Sequence, residues 1–137
     1  MGLTLDSSIV IAAERRQETP AGPLRAISSV AGDQHVAISS IALTELVHAI
    51  YRAKSSEMRS MRENFIRDLL VDVEVLAYTK STATLAGKID GMQAASGITI
   101  PSMDLLIGAA ALEFGYAIVT SNIRHFRLIQ GLQVIAM

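Results

Sequence analysis

The sequence predicts an α/β fold, a three-layer α/β/α sandwich around a mainly parallel central sheet. Three observations predict it. Short strand-like runs ("LTL", "HVAIS", "VDVEVLAY", "YAIVTS", "LQVIAM") alternate with longer helical segments. Half of the 137 residues are hydrophobic and 18% are charged, the balance of a chain that buries a core. No linker or repeat divides the chain, so residues 1–137 are read as one domain.

The elements follow in order. Leu3 to Leu5 is a short strand that stops at Asp6, and "SSIVIAAERR" opens a helix with Asp6 or Ser7 as its cap. "TPAGPLRAISSVAG" is a turn and a second helix, ended by Gly32. After the strand "HVAIS", the helix "SIALTELVHAIYRA" has an apolar side through Leu43, Leu46, Val47 and Ile50. "SEMRSMRENFIRDLL" is a more charged helix with Met58, Met61, Phe65, Ile66 and Leu69 on one side. "VDVEVLAY" alternates like a strand, and "STATLAGKIDGMQAAS" is helical. Pro101 and Ser102 start a helix that runs to Gly115 and is apolar nearly all round, which implies burial. "YAIVTS" is a buried strand and "LQVIAM" a short last one.

Composition narrows the chemistry. With no cysteine there are no disulfides and no thiolate metal ligands, and a cytoplasmic location is allowed. The three histidines lack HExxH spacing, which argues against zinc. No basic run precedes an apolar stretch at the N-terminus, and the longest apolar run, near Leu105 to Leu112, is too short to span a membrane. A net charge of −1 gives no broad basic surface for nucleic acid, though it allows a local patch.

Three isolated acids stand where apolar stretches give way to polar residues: Asp6 in "LTLDSSIVIA", Glu45 in "SSIALTELVHAI" and Asp104 in "IPSMDLLIGAAALEFG". A polar patch, "TSNIRHF", follows the fourth strand. In a parallel sheet the ligand crevice lies beyond the carboxyl ends of the strands, where Asp6 and Thr120 to Asn122 are expected. Carboxylates that converge repel one another unless a proton or cation neutralises them, and a hard divalent cation takes oxygen ligands. Read singly, each residue has a plainer role. Asp6 caps a helix, Asp104 complements a helix dipole, and Asn122 ends a strand. A helical wheel sets Glu45 opposite the Leu46/Ile50 side, as a solvated acid. Asp33, Asp68, Asp72 and Asp90 lie in polar surroundings and read as solvated. Arg15, Arg16, Arg52, Lys54, Arg59, Arg62 and Arg67 read mostly as solvated charges, with a minority touching phosphate.

The combination and order of these segments resemble a PIN domain, specifically the VapC-type toxins of toxin–antitoxin pairs. The resemblance covers essentially the whole chain and is most specific in the Asp6 motif and in Asp104 to Phe126. It implies a ribonuclease with a Mg²⁺ or Mn²⁺ site. Asp6 and Asp104 match the main metal-binding acids, and Glu45 matches the acid that helps hold the metal or its waters. Ser7, Ser8 and Thr120 match small polar positions that orient the acids. At the fourth position, where such proteins can carry an acid, this chain offers Asn122 and His125. Asn122 comes sooner after the strand and is expected to complete the site, while His125, a turn further on, packs or contacts RNA. The resemblance also implies an RNA substrate, a cognate antitoxin protein and a homodimer. Ile41, Tyr51, Met58, Met61 and Phe65 read as an apolar surface for such partners, with Met61 and Phe65 equally placed to face the core. The alternative is a non-catalytic or weakly active PIN-like module that binds RNA or protein.

Overall fold

The computed structural model describes residues 2–137. Its five strands are β1 (Gly2–Leu5), β2 (His35–Ser39), β3 (Glu74–Leu76), β4 (Ala117–Thr120) and β5 (Val134–Ala136). The helices are α1 (Ser7–Arg15), α2 (Ala21–Ala31), α3 (Ser40–Tyr51), α4 (Ser56–Asp72), α5 (Lys80–Ala95), α6 (Ser102–Glu113) and α7 (Ile123–Phe126). The strands form one sheet in the order β3-β2-β1-β4-β5, with every pair parallel. Helices flank it in the three-layer arrangement the sequence predicts.

All four residues of β1 and of β4 are buried, as expected for central strands of a parallel sheet covered on both faces. That is why "LTL" and "AIVT" read as unbroken apolar runs rather than alternating ones. The chain leaves β1 towards β2 and β3, then returns to β4 on the other side of β1. Adjacent strands β1 and β4 therefore send the chain in opposite directions, which opens a crevice at their carboxyl ends. Leu5 pairs with Ile38 and Val119, so Asp6 sits one residue past the sheet edge at that crevice.

Differences from the sequence reading have local causes. "VDVEVLAY" yields only the three-residue β3, because α4 runs on through Asp72. The turn α7 was not visible in the periodicity, since four residues are too few to show one. Phe65 is 8% exposed and belongs to the core with Ile66 and Leu69, whereas Met58 is exposed as expected and Met61, left open between core and surface, is exposed too. In α3 the buried stripe is Ala42, Leu46 and Ile50, and Val47 faces outward. Small Ala42 takes the core position, which rotates the stripe by roughly half a residue step from the Leu43/Val47 side. That rotation moves Glu45 from the far side of the helix to the flank of the buried face.

Two glycines matter for the geometry. Gly115 adopts φ 69°, which lets the chain turn sharply from α6 into β4. A Cβ at Gly108 would collide with the Ile129 side chain. α6 can therefore press closely on the segment after α7, where Phe126 is fully buried. This contact anchors α7 and so fixes the position of His125.

Candidate active site at the carboxyl edge of the sheet

Asp6 follows β1, and its backbone N–H still donates to Val119 O of β4 at 2.9 Å. Its side chain is 3% exposed and makes no cap on α1, although Asp6 occupies the N-cap position. Instead Asp6 Oδ2 accepts from Thr120 Oγ1 at 2.8 Å. Thr120, the last residue of β4, is fully buried, and its Oγ1 also accepts from the Asn122 backbone N–H at 2.8 Å. Ser8 Oγ accepts from the Ser121 backbone N–H at 3.2 Å and lies 3.4 Å from Thr120 Oγ1. Two strand ends are thus stitched together by small hydroxyls, with Asp6 at the centre.

Glu45 arrives from α3. Its Oε1 accepts from Ser7 Oγ at 2.9 Å, which couples α3 to the first turn of α1. The expected solvated glutamate is instead half-buried. Burial pushes its carboxyl above the usual range, the Ser7 hydrogen bond pulls it down, and the charges of Asp6 and Asp104 push it further up. Glu45, far from both in sequence, thus lies within electrostatic reach of Asp6 and of Asp104.

Asp104 lies in the first turn of α6, with its side chain 15% exposed. Asn122 Nδ2 donates to Asp104 Oδ2 at 3.0 Å, and His125 Nδ1 lies 2.6 Å from the same oxygen. A carboxylate only accepts, so Nδ1 carries the proton in that contact. Nδ1 then cannot also accept from Asn122, and the 2.8 Å approach of Asn122 Nδ2 to Nδ1 is a contact between two donors sharing one carboxylate. The sequence reading set His125 a turn beyond the site. Anchored by Phe126, it instead faces Asp104 beside Asn122.

Among the described residues, no lysine or arginine forms an ion pair with Asp6, Glu45 or Asp104. Hydrogen bonds occupy Asp6 Oδ2, Glu45 Oε1 and Asp104 Oδ2. The second oxygen of each acid has no protein donor. None is among the fully buried unsatisfied atoms, of which Thr4 Oγ1 is the one example, so these oxygens reach solvent. Three carboxylate oxygens left open, with no lysine or arginine to neutralise them, suit a hard divalent ion. No group of three His, Asp or Glu among the described residues stands close enough to form a ready-made cage.

A PIN-domain family model matches residues 3–131. The chain belongs to the PIN-domain family. This PIN domain is 33% identical to a ribonuclease VapC of Rickettsia bellii over 139 residues, covering 100% of this chain and 97% of the relative. It is 34% identical over 96 residues to a tRNA(fMet)-specific endonuclease VapC of Shigella flexneri, covering 70% of each. Its fold matches the crystal structure of VapBC2 from Rickettsia felis bound to a promoter DNA fragment, with a TM-score of 0.84 and 24% identity over 100% of this chain and 99% of that one.

Proposed function

We propose that this PIN domain is a divalent-metal-dependent endoribonuclease, the toxin of a toxin–antitoxin pair. The observation that carries the reading is the gathering of Asp6, Glu45 and Asp104 from three distant elements, with no lysine or arginine paired to any of them. The ribonuclease and endonuclease activities named for its VapC relatives support the substrate class.

Asp6, Asp104 and Glu45 are the residues that would hold Mg²⁺ or Mn²⁺. A divalent ion supplies positive charge to a phosphodiester and acidity to water. The protein's own groups do the positioning. Thr120 holds one oxygen of Asp6, and the other stays turned to solvent. Ser7 does the same for Glu45. Asn122 and His125 hold Oδ2 of Asp104, so rotation of that carboxylate is restricted before substrate arrives. The cluster reads phosphate and not base, so base choice comes from the surrounding surface.

The neutral Asn122 and the lack of a ready-made cage favour a second reading, a weakly active RNA-binding or protein-interaction module. Cleavage of an RNA pool with Mg²⁺, with Mn²⁺ and with EDTA separates the two. Metal-dependent cutting, lost in Asp6→Asn and Asp104→Asn, supports the nuclease. Full-rate cutting in EDTA, or in both variants, refutes the metal site.

Partners follow from the surface. Tyr51, Met58 and Met61 on α3 and α4 are 66%, 41% and 48% exposed, an apolar patch suited to a second copy or to an antitoxin segment. Among the described residues no helix is long and apolar enough to cross a membrane. A cytoplasmic site of action is part of the proposal, since RNA is the substrate.

A further inference from the structure

A cavity of about 710 Å³ opens beside the acidic cluster, with Glu45 in its wall. Four of the chain's twelve lysines and arginines line it: Arg15 at the end of α1, Arg52 after α3, Lys54 in the following loop and Arg62 of α4. Arg62 is already committed. Its Nε donates to Glu14 Oε1 at 2.7 Å and its Nη1 to Ala49 O, so it braces α4 against α1 and α3. The pairing also neutralises Glu14, the other acid of the cavity.

Arg15, Arg52 and Lys54 are different. They are exposed, and among the described residues none forms an ion pair. Three unpaired cations facing one cavity repel one another, in a chain whose net charge is −1. A basic surplus across the whole surface does not explain them. The cavity runs from these cations to the acid that borders the site of cleavage.

We propose that Arg15, Arg52 and Lys54 form a phosphate track that holds the RNA backbone on one side of the bond to be cut. The inference rests on the ribonuclease reading and adds to it the residues that bind the strand. Repeated phosphates match a row of point charges and guanidinium forks, and neither group needs a particular base. Arg62 acts beneath the track as a positioning residue. The strand then reaches the carboxylates from the α3/α4 side, with its backbone charge already neutralised.

The test uses the full chain and a labelled single-stranded RNA of mixed sequence. Binding is measured in the Asp6→Asn background, in EDTA, across a series of KCl concentrations. Each lost phosphate contact lowers the slope of log K against log [salt] by about 0.7. The Arg52→Gln/Lys54→Gln pair should therefore lower it by about 1.4, while Lys88→Gln on α5, outside the cavity, leaves it unchanged. In the cleaving protein the same pair should raise KM about tenfold or more and change kcat less than about twofold. A wild-type protein that cleaves, paired with a double variant of unchanged slope and KM, overturns the track and leaves the ribonuclease reading standing. A variant that loses affinity for a protein partner but not for RNA also overturns it, and marks the cavity as a seat for acidic peptide. Wild-type protein that neither binds nor cleaves the RNA overturns both readings.

Discussion

Thr120→Val tests whether the hydroxyl at the end of β4 builds the site. Valine keeps the shape and the strand preference of threonine, so only the hydroxyl is lost. Two short hydrogen bonds go with it, besides the long 3.4 Å contact with Ser8 Oγ. One is the 2.8 Å bond donated to the carboxylate of Asp6, which is almost fully buried. A bond to a charged partner contributes about 1.5–3 kcal/mol. The other is the 2.8 Å bond accepted from the Asn122 N–H, a neutral bond of about 1 kcal/mol. The added methyl group returns roughly 0.8 kcal/mol through burial. The net loss is about 2–3 kcal/mol, read from urea unfolding followed by circular dichroism. Asp6 also loses its orientation, and small misplacements of a reacting group are costly, so kcat should fall about tenfold or more. Thr120→Ser keeps the hydroxyl and should lose less than about 1.5 kcal/mol, with most activity retained. A valine variant within about 0.5 kcal/mol of wild type, and as active, would refute the role of this hydroxyl.

Glu45→Gln probes the repulsion among the acids. Burial and the charges of Asp6 and Asp104 raise the Glu45 carboxyl above 4.5, so the folded state favours its protonated form. That contribution is complete below pH 4.5 and is lost as pH rises through the raised value. The glutamine variant should therefore melt higher than wild type at neutral pH, and the gap should close in acid; a lower Tm at neutral pH counts against the argument. Asn122→Asp should set a like charge beside Asp104, lowering Tm without metal and raising it with Mn²⁺, and a Tm indifferent to Mn²⁺ argues against the site. Because Asn122 and His125 hold one oxygen, the double alanine variant should cut little slower than the worse single variant; strictly multiplicative losses in single-turnover cleavage would show that they act apart. Met58→Asp/Met61→Asp should shift a dimer to monomer in light scattering, and a wild-type protein already monomeric at high concentration removes the α3/α4 patch from dimer contact.

The order of apolar runs and punctuated helices determined the sandwich. "LTLD" and "AIVTS" are legible because central parallel strands are apolar throughout and end abruptly in polar residues. Gly115 marks the end of α6, and Asp6 and Asn122 stand where a strand edge meets a crevice. Asp33, Asp68, Asp72 and Asp90 read as solvated, and all are exposed. Distances between elements are another matter. Periodicity places a residue on one helix, and only packing says what that helix faces. Glu45 looked solvated because Leu43 and Val47 outweigh a small alanine in a helical wheel, yet α3 turns Ala42 inward and brings Glu45 to Ser7. His125 looked remote because α7 is too short to leave a pattern, and the burial of Phe126 brings it to Asp104. The cavity of unpaired cations joins residues from four helices and a loop, and their common face exists only once those elements are packed. Charge and hydropathy are properties of residues and survive in the sequence. Convergence is a property of the closed sheet and its helices, and the tertiary structure decides it.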